Sequence, residues 1–269
     1  MIDYILRVLR MLTRLVAMIS NLGFLSALKI MVYGVIFDIN KQFTMKTKNF
    51  GLLHWHPRKD KVICHLYTPQ IEIYSPSGKL KITSIVDLGA NIGIETIRFA
   101  KLYPLAKILA IEAEQRNYEV LQLNTSMLDS VNCFNIAIWD KPAKLNFSQD
   151  SESAQSWFLV EAENDEAAQI IGTPFDNFLK ERKIKNIDIL KVDIEGAEYE
   201  LFSNNINDWI HFVKVVIMEC PDSDRPGTLR YIFQKLSSVN YNFNSYIHGE
   251  NIILVRADLD WEVCSREIY

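Results

Sequence analysis

The stretch Thr83-Ser-Ile-Val-Asp-Leu-Gly-Ala-Asn-Ile-Gly93 constrains the fold more than any other part of this 269-residue chain. A mostly apolar run, Ile85 to Leu88, ends in glycines, and a helical pattern follows from Ile94 through Phe99 and Ala100. A strand turning sharply into a helix reads this way. Gly89 and Gly93 carry no Cβ, so the backbone can take unusual angles and a ligand can approach closely. The spacing is G-x-x-x-G, with Asn91 where a dinucleotide fingerprint has its middle glycine. Asp87 falls at the carboxyl end of the strand, where open α/β sheets bind ligands. There it can orient loop amides or accept a hydrogen bond from a ligand.

Two later stretches extend the pattern. Ala106-Lys-Ile-Leu-Ala-Ile-Glu112 is a second strand ending in a carboxylate 19 residues beyond Gly93, beside the first loop in a doubly wound sheet. Ile187-Asp-Ile-Leu-Lys-Val-Asp-Ile-Glu-Gly-Ala-Glu198 is a buried-type strand running into an acidic turn. Together these stretches resemble the FkbM-type family of S-adenosylmethionine-dependent methyltransferases. Asp87–Gly93 resembles its first motif and Lys191-Val-Asp-Ile-Glu-Gly-Ala-Glu198 its most distinctive one, over roughly residues 46 to 257. Leu53-His-Trp-His-Pro-Arg-Lys-Asp60 resembles the family's lead-in, with His56 where an arginine is usual. Ala113 likewise replaces a proline that usually follows the Glu112 position.

The remainder of the chain reads as alternating strands and helices, the pattern of a parallel sheet covered on both faces. Strands are expected at 83–88, 107–112, 131–138, 187–192 and 213–219. Helices are expected near 92–102, 115–128, 174–182, 197–203 and 226–237. Asn240–Ile247 and Asn251–Ala257 form a hairpin signal across His248-Gly-Glu250. The fold expected is a Rossmann-like class I methyltransferase fold: a mostly parallel seven-stranded sheet with a terminal antiparallel hairpin. Residues 1–45 form an N-terminal helical segment, 46–80 a short β lead-in, 81–258 the donor-binding domain and 259–269 a tail. Residues 141–172 are too long for an ordinary connection, and the runs Lys144–Phe147, Ser156–Val160 and Gln169–Ile171 read as inserted strands.

Composition narrows the chemistry. A net charge of −4 gives no global basic field, so nucleic acid is not expected as a partner. No Asn/Asp-Pro-Pro-aromatic motif follows the fourth strand, which argues against nucleobase amino groups. Cys64, Cys133, Cys220 and Cys264 are scattered, as free thiols in a reducing cytoplasm would be. Residues 4–37 hold no acidic residue but carry Arg7, Arg10, Arg14 and Lys29. A helix packed on the main domain or on a second subunit is the expected reading, which makes a homodimer an open expectation. Peripheral contact with a membrane is the alternative, given the basic face.

The resemblance implies S-adenosylmethionine as cofactor, held by Asp87, Gly89, Asn91 and Gly93 at its amino acid end and by Glu112 at its ribose. Ala137 and Ile138, at the end of the third strand as drawn, would lie near the adenine. Asp193, Glu195 and Lys191 are the candidate catalytic residues. In-line displacement at a sulfonium methyl needs positioning, and a carboxylate can take or orient the proton of a hydroxyl acceptor. Glu198, on the first turn of the following helix, has the dipole-favoured place of a structural residue. A small-molecule or glycan hydroxyl is the acceptor implied by the resemblance. No metal is expected. His54 and His56 alternate on one strand face without a third ligand evident. A nicotinamide-dependent oxidoreductase and a non-catalytic binding module are the alternatives.

Overall fold

The computed structural model describes residues 16, 19–20, 23–35, 42–56, 76–77, 80–149, 157–162, 169–194, 196–203, 205–219, 225–248, 251–259 and 262–263. In chain order, α1 (Phe24–Val35) is followed by β1 (Phe43–Thr47), β2 (Gly51–Trp55) and β3 (Pro76–Ser77). Next come β4 (Ser84–Leu88), α2 (Ile94–Leu102), β5 (Lys107–Ile111), α3 (Gln115–Thr125) and β6 (Val131–Phe134). Then follow β7 (Ala137–Trp139), β8 (Ala143–Gln149), β9 (Trp157–Glu161), β10 (Ile170–Pro174) and α4 (Phe175–Glu181). The last part holds β11 (Ile187–Val192), α5 (Glu198–Ser203), β12 (Val213–Glu219) and α6 (Thr228–Ser238). The strands β13 (Phe243–His248), β14 (Asn251–Arg256) and β15 (Glu262–Val263) complete it. Among the described residues no helix is long and apolar enough to cross a membrane.

Seven strands form the main sheet in the order β13-β14-β12-β11-β4-β5-β6. It is mixed: β14 runs antiparallel to both of its neighbours, while β12, β11, β4, β5 and β6 pair in parallel. Strand β11 is buried at every position, as a central strand with helices on both faces must be. At its start Asp188, fully buried, accepts from the Thr83 and Ser84 amides at 2.7 and 3.0 Å and from Lys214 Nζ at 2.6 Å. These bonds fasten the amino ends of β4, β11 and β12 to one another.

The third strand departs from expectation. It ends at Phe134, and after Asn135 and Ile136 the chain enters β7, which belongs to a different sheet of order β7-β10-β8-β9. Strand β7 pairs in parallel with β10, and β8 runs antiparallel to both β10 and β9. The inserted strands expected within 141–172 are thus present as a second sheet.

The N-terminal hairpin begins earlier than expected, with β1 starting at Phe43 inside the stretch read as helical. Its Leu53 and Trp55 are buried against Ile92, Ile94, Ile97 and Val120, so the hairpin packs on the helices that follow the glycine turn. The tail also takes part, since Glu262–Val263 pairs with Pro76–Ser77. The runs Val62–Tyr67 and Ile71–Tyr74, and the arginines of the N-terminal segment, lie outside the described residues.

Candidate active site

The carboxyl ends of β4 and β11 lie side by side, with Asp87 opposite Lys191 in the register and the Asp193 amide donating to Leu88 O at 3.1 Å. The turn between them is tight. Gly89 has φ +76, and a Cβ there would sit 1.6 Å from the carbonyl oxygen of Asp193. Only glycine permits both that angle and that approach. Gly93, at φ +90, is closed in by Leu121 of α3, whose Cδ1 a Cβ would meet at 2.8 Å. Asn91 takes a left-handed φ of 49, its own Oδ1 accepting from the Ile92 amide at 2.8 Å. The amides of Gly89 and Ala90 both donate to Ile111 O at 2.9 Å, tying the turn to the end of β5.

Three charged groups join across this turn. Asp87 is fully buried; its Oδ2 accepts from Thr96 Oγ1 at 2.6 Å, and its Oδ1 lies 3.4 Å from Lys191 Nζ. Lys191, itself buried, donates to Asp193 Oδ2 at 3.0 Å, while the Asp193 side chain is about one-third exposed. An ammonium set between two carboxylates keeps the buried one compensated and fixes the exposed one.

On the other side of the turn, Glu112 is buried with Oε2 accepting from the Asn91 amide at 2.8 Å and Oε1 from the Glu114 amide at 2.9 Å. Burial pushes its carboxyl up to about 7, with the two amide bonds opposing. Each oxygen keeps accepting capacity for a further donor. Glu114 caps α3, accepting from the Asn117 amide at 2.7 Å.

The other site residues are placed as follows. Ala137 and Ile138 do not end the third strand: both are buried in β7, Ala137 among Trp139, Leu145 and Ile170, and Ile138 in the core beneath the main sheet. Asn135 stands at that strand end instead, its Nδ2 donating to Glu112 O and Ala113 O at 3.0 Å. Glu198 Oε1 accepts from the Ile194 amide at 3.0 Å, closing the loop after β11. Glu195 lies outside the described residues. His54 bonds Thr44 through Nδ1 at 2.9 Å, and His56 is buried. Among the described residues no group of three His, Cys, Asp or Glu is placed to hold a metal ion.

Sequence reasoning passed over several residues. Thr96 is the hydrogen-bond partner of Asp87, and Glu95 with Arg98 forms an ion pair on the same turn of α2. Asn124 of α3 donates to His54 O and Ile92 O at 3.0 and 2.7 Å and accepts from the His54 amide at 2.6 Å, binding the N-terminal hairpin to the turn. No spacing signals such long-range partners.

A small cavity of about 50 Å³ opens at the turn, bordered by Gly89, Asn91, Ile94, Glu95, Lys191 and Asp193. A wider depression of about 340 Å³ lies between Gln122, Thr125, Val131 and Cys133. It lies between α3 and β6, and Asp87, Lys191, Asp193 and Glu112 do not line it.

Residues 87–243 match the family model of the methyltransferase FkbM domain. The 2-O-methyltransferase NoeI of Sinorhizobium fredii (strain NBRC 101917 / NGR234) is 25% identical over 135 residues, 44% of this chain and 56% of NoeI. The chain therefore spans little more than half the length of that relative. Methyltransferase sdnD of Sordaria araneosa is 25% identical over 177 residues, 53% of this chain and 68% of sdnD. Among solved structures, a methyltransferase FkbM from Methylobacillus flagellatus KT aligns with a TM-score of 0.47 and 15% identity, over 73% of this chain and 55% of that one.

Proposed function

Because the chain belongs to the family of methyltransferase FkbM domains, we propose that it transfers a methyl group from S-adenosylmethionine to a hydroxyl of a small molecule or sugar. The observation that carries this reading is the Asp87–Lys191–Asp193 network, set where β4 and β11 end together beside the glycine turn. The name of NoeI, a 2-O-methyltransferase, supports oxygen as the acceptor atom.

The residues present fit the donor. Gly89 leaves the turn open to a close ligand, Asp87 Oδ1 is buried without a hydrogen bond, and Glu112 can accept from ribose hydroxyls. When bound, S-adenosylmethionine supplies an electrophilic methyl group for in-line displacement. Lys191 Nζ holds the Asp193 carboxylate in place, and Asp193 orients the acceptor hydroxyl and takes its proton. Glu195 is the second candidate for that proton. The inserted segment 141–172 and the lead-in segment are proposed to build the acceptor pocket, and the scattered cysteines support a cytoplasmic setting.

Calorimetric titration with S-adenosylhomocysteine and with NAD tests the donor. We expect binding of the former alone, weakened by about 2–3 kcal/mol in Glu112→Ala. Saturable NAD binding in its place would overturn the proposal. Asp193→Asn tests the chemistry: transfer should fall while product binding survives, and unchanged transfer to every accepted hydroxyl would remove Asp193 from its role.

A further inference from the structure

Glu95, Lys191 and Asp193 border the 50 Å³ cavity, with Arg98 paired to Glu95 and Asp87 paired to Lys191 behind them. Glu95 Oε1 is paired with Arg98. Its Oε2 is buried and has no hydrogen-bond partner in the protein, and the same is true of Asp87 Oδ1. A buried carboxylate oxygen without a donor is costly, and such atoms mark places where a ligand completes the bonding. Burial pushes the Glu95 carboxyl above its usual range, with Arg98 and Lys191 opposing and Asp87 and Asp193 adding to it. With all three carboxylates ionised they outnumber the cations by one, a balance that an entering ammonium would restore. On the measure by which one water needs about 10–15 Å³, the cavity has room for a compact ammonium on an aliphatic stem.

We propose that Glu95 receives the ammonium of the methyl donor's amino acid end, through the Oε2 that the protein leaves without a partner. The assignment rests on the donor reading above and adds a contact residue that lies outside the glycine turn itself. Glu95 stands on the first turn of α2, one residue before Thr96, which anchors Asp87. The helix thus presents one carboxylate directly to the ligand and steadies a second from behind.

Three ligands separate the possibilities. S-adenosylhomocysteine carries ammonium and carboxylate, S-adenosyl-3-thiopropylamine keeps only the ammonium, and 5′-methylthioadenosine has neither. By calorimetry, Glu95→Gln should weaken the first two by about ten- to a hundredfold, the range for a hydrogen bond to a charged group. It should leave 5′-methylthioadenosine unchanged. Because the substitution strands Arg98, Glu95→Gln with Arg98→Met must give the same pattern, and it serves should the single variant not fold. Equal weakening of all three ligands, no weakening of any, or loss confined to S-adenosylhomocysteine would overturn the assignment. If the unaltered protein binds none of the three, the donor reading fails and the role of Glu95 goes with it; binding without discrimination fails Glu95 alone.

Discussion

Donor affinity should depend on pH through Glu112. Glu112 is buried against the glycine turn with its carboxyl pushed up to about 7. Ribose hydroxyls are donors, so the binding form is the carboxylate and the acid form must lose its proton first. The apparent dissociation constant then scales inversely with the ionised fraction. At pH 6 about one-tenth of the molecules are ionised, and S-adenosylhomocysteine should bind about tenfold more weakly than on the plateau above pH 8. The same linkage requires proton release on binding, near one per site at pH 6 and vanishing by pH 8.5. Calorimetry in buffers of different ionisation enthalpy reads that number directly. Stability runs the other way. The native carboxyl ionises at about 7 and the unfolded one near its ordinary value of 4.5, so the native state binds more protons between the two. Its stability therefore declines as pH rises through that window, by about 3 kcal/mol in all. Glu112→Gln should remove the part of both profiles that runs through pH 7. An affinity that stays constant from pH 5.5 to 8.5, or proton uptake on binding, would refute the reasoning.

Other perturbations probe the frame around the site. Gly89→Ala forces a Cβ into the Asp193 carbonyl and should cost upwards of about 3 kcal/mol, with donor binding lost. Gly227→Ala, at φ +90 but in open space, should cost only about 1 kcal/mol; comparable melting temperatures for the two would refute the packing argument. Lys191→Met leaves Asp87 buried without a counter-charge, at a cost of about 3 kcal/mol or more, and adding Asp87→Asn should recover part of it in urea unfolding. Although burial opposes it, Lys214 and the Thr83 amide hold the Asp188 carboxyl below its ordinary value. Its stabilisation is present above that ordinary value and lost as pH falls through the lower native one. The urea midpoints of Asp188→Asn and the parent should therefore differ at pH 7 and converge in acid.

What was legible in the sequence is what local chemistry writes there. An apolar run stopped by Gly89 and Gly93 has few alternatives to a strand, a tight turn and a helix, and β4 and α2 follow it closely. The hairpin of β13 and β14 was legible for the same reason. The break after Phe134 was not. The run Val131 to Trp139 stays suited to a strand throughout, and only packing of β7 beside β10 turns it into another sheet. Ala137 and Ile138 therefore do not stand at the end of the third strand, where the pattern puts them, and Asn135 does. Glu95, Thr96 and Arg98 escaped because helical periodicity treats charged and hydroxyl residues as a solvent face. Here Thr96 and Arg98 are buried beneath the turn. Partners far apart in sequence, such as Asn124 with His54 or Asp188 with Lys214, carry no mark that a single chain reveals.

The parallel pairing of β7 with β10 means that the chain leaves the main sheet and comes back along the same track, Ala137 lying opposite Gly172. Because the two strands are parallel, the connection leaves from the carboxyl end of β7 and re-enters at the amino end of β10, so it has to cross over and cannot close as a hairpin. A different excursion of another length could be grafted between Trp139 and Ile170 without disturbing the register of β4, β5 and β11 or the turn that joins them. The second sheet can then change in length while β4, β5 and β11 keep their pairing.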